Sequence, residues 1–284
     1  MKRSLHLVIG ISLLAAQAAS AGMFYSALNT TEGTEGSAAD WRVNAWVDGD
    51  NAKIEFTQSG NPMMPAGAYL LTNDAGRNVY MIKPEEGTYS RWDVDAMLQM
   101  ASDVLGEAGG MISMTIENPS VEVLAEEPGD EVAGRSTTYY RYRTSYELKM
   151  KVMGMKRGQS TVMDQEVWST DHVKDPGFGL WLRKTPPSFG DSGLDGLIKA
   201  EMEKVKGFPL KTVTESVTTG KKGRQTRTRS VMEVTELREE SIAANVFVLD
   251  PDLVEKPMPS FDAPGGDDEK EGGFRSLMKR RRDG

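Results

Sequence analysis

Long stretches of the chain alternate apolar and polar residues with a period of two, which is typical of a half-buried antiparallel strand. The clearest stretch covers residues 138–152. Mostly aromatic or aliphatic residues occupy its even positions, which are Thr138, Tyr140, Tyr142, Thr144, Tyr146, Leu148, Met150 and Val152. Because successive side chains of a strand point to opposite faces, this segment is predicted to bury one face and expose the other.

Turn-forming residues separate further alternating stretches and predict a series of antiparallel hairpins. Residues 48–51, with the sequence Asp-Gly-Asp-Asn, form the strongest of these turns. A strand over residues 111–124 is expected to end in an acidic turn at residues 126–130. The other predicted strands are 88–92 and 161–170, and the predicted hairpins pair 41–47 with 53–56, 68–72 with 79–83, and 210–218 with 227–237.

Two segments change to a helical period. In residues 93–107 the apolar positions recur three and four apart, which places Met97 and Leu98 on one stripe. Residues 192–206 repeat this pattern, and Gly207 follows as a stop signal. Two amphipathic helices are therefore predicted beside the sheet, in a mainly β (α+β) protein.

The first residues have the pattern of a cleavable signal peptide. Lys2 and Arg3 precede an apolar stretch, and the Ala19-Ser20-Ala21 run fits the small-residue cleavage rule. Cleavage after Ala21 is expected to release a periplasmic or secreted protein. The sequence contains no cysteine, so no thiol is available for lipid attachment.

Composition limits the candidate chemistry. The absence of cysteine removes thiol nucleophiles, and the two histidines are His6, in the predicted signal peptide, and His172. A metal site that needs two imidazoles is therefore excluded, and neither a metal nor a cofactor is expected. The net charge of −8 disfavours a nucleic-acid partner. The Gly-Asp-Ser-Gly run at 190–193 copies a serine-protease motif, but a helix N-cap explains it better.

The 17 methionines have two interpretations. Methionine fills irregular gaps in a core, and it also lines compliant surfaces for hydrophobic ligands. The apolar positions of the sheet and of the first helix suggest where such a lining would lie. The candidate ligand-lining residues are Met97, Leu98, Tyr140, Tyr142, Tyr146 and Met150.

Three consecutive segments, residues 48–56, 69–74 and 79–89, carry a family resemblance. They read Asp-Gly-Asp-Asn-Ala-Lys-Ile-Glu-Phe, Tyr-Leu-Leu-Thr-Asn-Asp and Val-Tyr-Met-Ile-Lys-Pro-Glu-Glu-Gly-Thr-Tyr. With shorter stretches up to residue 255, the pattern resembles a family of exported bacterial proteins of unknown function related to the LolA/LolB lipoprotein carriers. It lacks the lipid-attachment cysteine of LolB and adds a long charged tail.

The resemblance implies a curled antiparallel sheet or incomplete barrel, with the two helices on its concave side. It also implies a non-enzymatic carrier that binds an acyl chain or a lipidated partner. The alternative is a structural or interaction module of the cell envelope with a packed core and no ligand. A cavity between sheet and helices would separate the two functions.

Four segments are expected along the chain. These are a signal peptide at 1–21, a flexible segment at 22–40, a LolA/LolB-like β domain at 41–256 and a disordered charged tail at 257–284. The tail ends in a basic stretch that follows Phe274, and such a stretch suits an anionic membrane surface or merely aids solubility. The candidate membrane-contact residues are Lys279, Arg280, Arg281 and Arg282.

Overall fold

The computed structural model describes residues 22–33, 40–93, 112–152, 155–173 and 192–257. Within these ranges the protein is mainly β, with one 12-stranded sheet that does not close on itself. The strands are β1 (Gly22–Gly33), β2 (Trp41–Asp48), β3 (Asn51–Ser59), β4 (Tyr69–Thr72), β5 (Asn78–Lys83), β6 (Thr88–Asp93), β7 (Ile112–Val132), β8 (Arg135–Val152), β9 (Met155–Thr170), β10 (Phe208–Thr219), β11 (Gln225–Glu240) and β12 (Val254–Glu255).

The strand order across the sheet is β12-β6-β5-β4-β3-β2-β1-β11-β10-β9-β8-β7. All neighbours pair antiparallel except β12, which lies parallel to β6. The three predicted hairpins are confirmed as β2–β3, β4–β5 and β10–β11. The predicted long strand over 138–152 is β8, which pairs with β7 and β9 along its length.

Two segments differ from their predicted conformation. The flexible segment expected at 22–40 is wrong for its first part, because Gly22–Gly33 form β1. This strand pairs with β11 on one side and β2 on the other, so its backbone hydrogen bonds are satisfied within the sheet. The acidic turn expected at 126–130 is also wrong, since these residues belong to β7.

The true turn between β7 and β8 lies at Ala133 and Gly134, whose φ angles are 50° and 71°. Pro128 is tolerated in β7 because this strand is the edge of the sheet, where one row of backbone N–H groups needs no strand partner. The bulge between Gly129 and Val132 absorbs the irregular backbone next to it.

One helix, α1 (Ser192–Glu203), confirms the second helix prediction. Among the side chains that the structure describes in this helix, Leu197 and Ile198 are the buried apolar ones, and the helix packs beside β7. The first predicted helix, at 93–107, lies outside the described residues except for Asp93, which ends β6.

The two faces of the sheet have different coverings. One face carries the cross-strand row Tyr25, Ala45, Ile54 and Leu70, and we call it the cavity face. The opposite face carries Trp46, Leu71 and Ile82, on which the C-terminal arm, residues 242–253, packs. Phe247 of this arm is buried in a 3₁₀ turn. The arm closes the opposite face there, so the cavity face is where a ligand has room.

Candidate functional site

The cavity face holds a cavity of about 400 Å³. Strands β1 to β4 and β9 to β11 supply the described residues that line it. This volume falls within the range of small-molecule sites in proteins, which are concave and mostly apolar. The lining residues are Tyr25, Ala27, Asn29, Trp41, Val43, Ile54, Phe56, Leu70, Gln165, Phe208, Pro209, Thr212, Thr214, Ser230, Met232 and Val234.

Most of the cavity wall is apolar because the alternation of β1, β2 and β3 directs their apolar residues to this face. Within this wall, the rings of Tyr25 and Phe208 meet edge to face, with centroids 5.4 Å apart. Burial raises the pKa of Tyr25 to about 12. The phenol is therefore neutral at physiological pH, and it adds an uncharged hydroxyl to an otherwise hydrophobic region.

Polar side chains form a strip on one side of the cavity. Gln165 of β9, Thr214 of β10 and Ser230 of β11 are direct cross-strand neighbours, and residues so paired share a face of the sheet. Thr212 and Asn29 belong to the next row. We call Gln165, Thr212, Thr214, Ser230 and Asn29 the polar strip.

Asn29, at the β1 end of the polar strip, is hydrogen-bonded to two hydroxyl groups. The Ser230 hydroxyl donates to Asn29 Oδ1 at 2.8 Å, and Asn29 Nδ2 donates to the Thr31 hydroxyl at 3.2 Å. Thr212 is different. Its Oγ1 is buried, and among the described residues no group hydrogen-bonds to it. A buried hydroxyl without a partner costs free energy, and because this oxygen is not accessible from the cavity surface, a bound polar group reaches it only if the Thr212 side chain or the wall shifts.

A buried lysine adjoins the strip. The Lys204 side chain is only 6% exposed, and its Nζ lies 2.5 Å from Glu201 Oε2. The same Nζ donates to Gln165 Oε1 at 2.7 Å and lies 4.6 Å from the centre of the Tyr142 ring. Burial lowers the pKa of Lys204, while the contact with Glu201 opposes that shift. Thr144 donates to Glu201, and we call Lys204, Glu201, Thr144 and Gln165 the lysine cluster.

The candidate lining residues chosen from the sequence lie in different places. Tyr140 and Tyr142 are on the cavity face, but they stack on each other at 6.0 Å in a buried cluster with Val167 and Val205. The Tyr142 hydroxyl donates to the Lys204 carbonyl at 2.9 Å. These tyrosines therefore support the segment after α1 and are not among the residues that line the cavity.

Tyr146 and Met150 lie further along β8, are partly exposed and do not line this cavity either. Met97 and Leu98 lie outside the described residues, as do the membrane-contact candidates at 279–282, so those assignments stay predictions. Sequence reasoning missed the lining from β1 to β4 and from β9 to β11. The alternation of Val43, Ile54 and Phe56 is a signal that could have identified part of it.

Other sequence candidates have structural roles. The Asp48–Asn51 segment is a β-turn in which Asn51 Nδ2 donates to the Asp48 carbonyl at 3.1 Å. His172 Nε2 lies 3.3 Å from Ser136 Oγ at an exposed position. Within the described ranges, no group of three or more potential ligands is arranged to hold a metal ion. The same part of the chain contains no helix with the length and apolar character needed to cross a membrane.

Comparison with solved structures finds matching chains, one of which is a LolA superfamily protein. No family model matches the chain, and no curated protein matches it. Among solved structures, the chain is similar to a LolA superfamily protein from Nitrosomonas europaea, with a TM-score of 0.33 and 11% sequence identity. The alignment covers 81% of this chain and 91% of the other. A likeness at this level carries no inference about function, which has to come from the cavity.

Proposed function

We propose that the protein is a non-enzymatic binding or carrier protein for an acyl chain or a lipidated partner. The observation that carries this proposal is the cavity of about 400 Å³ with its largely apolar wall. Burying apolar ligand surface in such a wall is favourable at about 25 cal/mol per Å². The structural or interaction module with a packed core fits this observation less well.

The polar groups of the described lining favour binding over chemistry. They are amides and hydroxyls from the polar strip, together with the neutral phenol of Tyr25. Such groups orient a ligand by hydrogen bonds. General acid–base catalysis would instead use groups that titrate near the operating pH.

Export is the second part of the proposal. The predicted cleavage point after Ala21 falls directly before Gly22, which is buried and is the first residue of β1. A side chain at this position would meet Ile242 Cδ1 at 2.6 Å. We propose that cleavage after Ala21 leaves a mature chain that begins at Gly22, in β1, in the periplasm or outside the cell.

A tryptophan substitution tests the cavity directly. Met232 lines the cavity, and its neighbour Val231 points to the opposite face of the same strand. We expect the unmodified protein to bind a fluorescent long-chain acyl ester at roughly micromolar strength. Met232→Trp is expected to weaken this binding at least about tenfold by filling the space, whereas Val231→Trp leaves it unchanged.

Fluorescence titration of the three proteins, with circular dichroism as a folding control, gives the answer. If the folded unmodified protein binds no acyl probe, the carrier function is wrong and the interaction module replaces it. If Val231→Trp weakens binding as much as Met232→Trp does, the ligand binds somewhere other than this cavity.

A further inference from the structure

The polar strip is uncharged. Its members carry amide or hydroxyl groups, and no Asp, Glu, Lys or Arg appears among the described residues that line the cavity. The cation that is hydrogen-bonded to the strip is Lys204. Its ammonium group donates to Gln165 and is already paired with Glu201. The cavity therefore offers hydrogen bonds without a free opposite charge.

Lys204 also fixes the orientation of the Gln165 amide. Its ammonium group is a donor only, so it requires the carbonyl oxygen of Gln165 on its own side. The Oε1 contact at 2.7 Å satisfies this requirement. Because the two ends of the amide point apart, the Gln165 NH₂ group is the end directed away from Lys204. A residue that lines the cavity in this orientation presents a donor and needs an acceptor from the ligand.

Thr212, in the next row of the strip, carries a second hydroxyl that a small side-chain rotation would bring to the cavity surface. Its hydroxyl is buried at the cavity and lacks a hydrogen-bond partner among the described residues. A hydroxyl either donates or accepts, so once rotated towards the cavity it can complete the hydrogen bonding of a carbonyl group that Gln165 has engaged. Met232, beside Thr212 on β11, keeps the neighbouring surface apolar.

An ionised head group does not suit this arrangement. A carboxylate that enters the cavity loses its hydration, which is costly unless a positive charge compensates for it. Lys204 cannot provide that charge without giving up Glu201, which would then be left without its cation. A neutral carbonyl avoids this cost and still accepts the hydrogen bonds that the strip offers.

We propose that the cavity selects its ligand by an uncharged carbonyl group, so that it takes acyl esters or acyl amides in preference to ionised fatty acids or plain hydrocarbons. Gln165 is the specificity residue, Thr212 assists it, and Lys204 acts as a positioning residue through Gln165. This selectivity rests on the proposed acyl-binding function, because it concerns the same cavity.

The test compares four ligands with the same carbon chain: the methyl ester, the primary amide, the free carboxylate and the alkane. Each ligand is titrated against the bound fluorescent acyl ester, and its displacement of this probe is measured. The assay is run at about pH 8, where a carboxylic acid with a pKa near 4.3 is ionised. One neutral hydrogen bond changes affinity by about fivefold to tenfold. The ester and the amide are therefore expected to bind at least about fivefold more tightly than the carboxylate and the alkane.

Two variants assign the effect to the strip. Gln165→Leu and the isosteric Thr212→Val are each expected to reduce the preference for ester over alkane while the alkane binds as before. Gln159→Leu is the matched control, because Gln159 lies on the same strand β9 and pairs with Leu148 away from the cavity. Gln165→Leu removes a partner of Lys204 and could fail to fold for that reason. In that case the preference for ester over alkane in Thr212→Val tests the assignment.

The outcomes separate the two proposals. If none of the four ligands displaces the probe and the probe itself does not bind, the carrier function fails. If all four bind equally, or if the carboxylate binds most tightly, the carrier function stands and carbonyl selection is overturned. A preference for the ester that survives in both Gln165→Leu and Thr212→Val also overturns the assignment to this strip.

Discussion

The lysine cluster gives the sharpest prediction about stability. Glu201→Gln removes the carboxylate that neutralises Lys204 and keeps a side chain of the same shape. The Lys204 side chain is 6% exposed and that of Glu201 is 23% exposed, so the cation is shielded from water although its partner is partly solvated. The substitution therefore leaves a buried ammonium group whose remaining acceptors are neutral.

The size of the effect follows from this burial. Removing one partner of a fully buried pair costs about 3–5 kcal/mol. The partial exposure of Glu201 and the hydrogen bond from Lys204 to Gln165 both reduce the destabilisation expected here. We therefore expect Glu201→Gln to lower the free energy of unfolding by about 2–3 kcal/mol at neutral pH.

The loss should depend on pH in a defined direction. Burial already lowers the pKa of Lys204 in the folded protein, and loss of Glu201 removes the interaction that raises it again. Between this folded pKa and the unfolded value near 10.4, the unfolded chain binds more protons, so stability rises with pH. The pH range over which stability rises begins at a lower pH in Glu201→Gln, because the folded-state pKa of Lys204 is lower in this variant. The destabilisation should consequently shrink as the pH rises from about 7 towards about 10.

Urea unfolding at several pH values measures both effects. The matched control is Glu203→Gln on the same helix, because Glu203 pairs with Lys199 at 3.7 Å and both side chains are about two-thirds exposed. An exposed pair contributes about 0–1 kcal/mol, so this control should change stability little at any pH. If the two variants lose equally little, or if the loss in Glu201→Gln does not vary with pH, Lys204 is not a buried cation held by Glu201.

Two further predictions concern a turn and the tail. Gly207 has a φ of +80°, and a Cβ there would lie 2.6 Å from the Thr170 carbonyl oxygen; Gly207→Ala should therefore destabilise by more than about 2 kcal/mol in urea unfolding. Gly49→Ala, with a φ of +59° and nothing within 4 Å, should lose only about 1 kcal/mol, and equal losses would show that the clash is relieved. Truncation after Pro257 should leave the fold intact and reduce co-sedimentation with anionic vesicles, since each basic residue near such a surface contributes about 1 kcal/mol; equal sedimentation of both chains would exclude a membrane role for the tail.

The elements with a strong local repeat could be predicted from the order of the residues alone. The period-two pattern of residues 138–152 became β8, and the Asp-Gly-Asp-Asn run at 48–51 became the β2–β3 turn. The apolar stripe at 192–206 became α1, which ends at Glu203. These features depend on the spacing of apolar, polar and turn-forming residues within a short segment, and the sequence gives this spacing directly.

Strand pairing determines the conformation of the segments whose local sequence signals are weak or misleading. Residues 22–33 are rich in Gly, Thr and Ser, yet they form β1 because β2 and β11 hydrogen-bond to both of its edges. Pro128 and Gly129 indicate a turn, yet they lie in β7. A Cβ at Gly129 would lie 2.5 Å from Thr137 Oγ1, so close packing against β8 requires glycine in a strand.

The cavity likewise depends on contacts that no local pattern contains. Tyr25 and Phe208 are far apart in sequence, and their rings meet only because β1, β11 and β10 are neighbours in the sheet. Tyr140 and Tyr142 share the cavity face, as their period of two requires, but the segment after α1 covers them. Alternation therefore tells which face of a strand is apolar, whereas the order of the strands and the elements laid over them decide which apolar residues line a cavity.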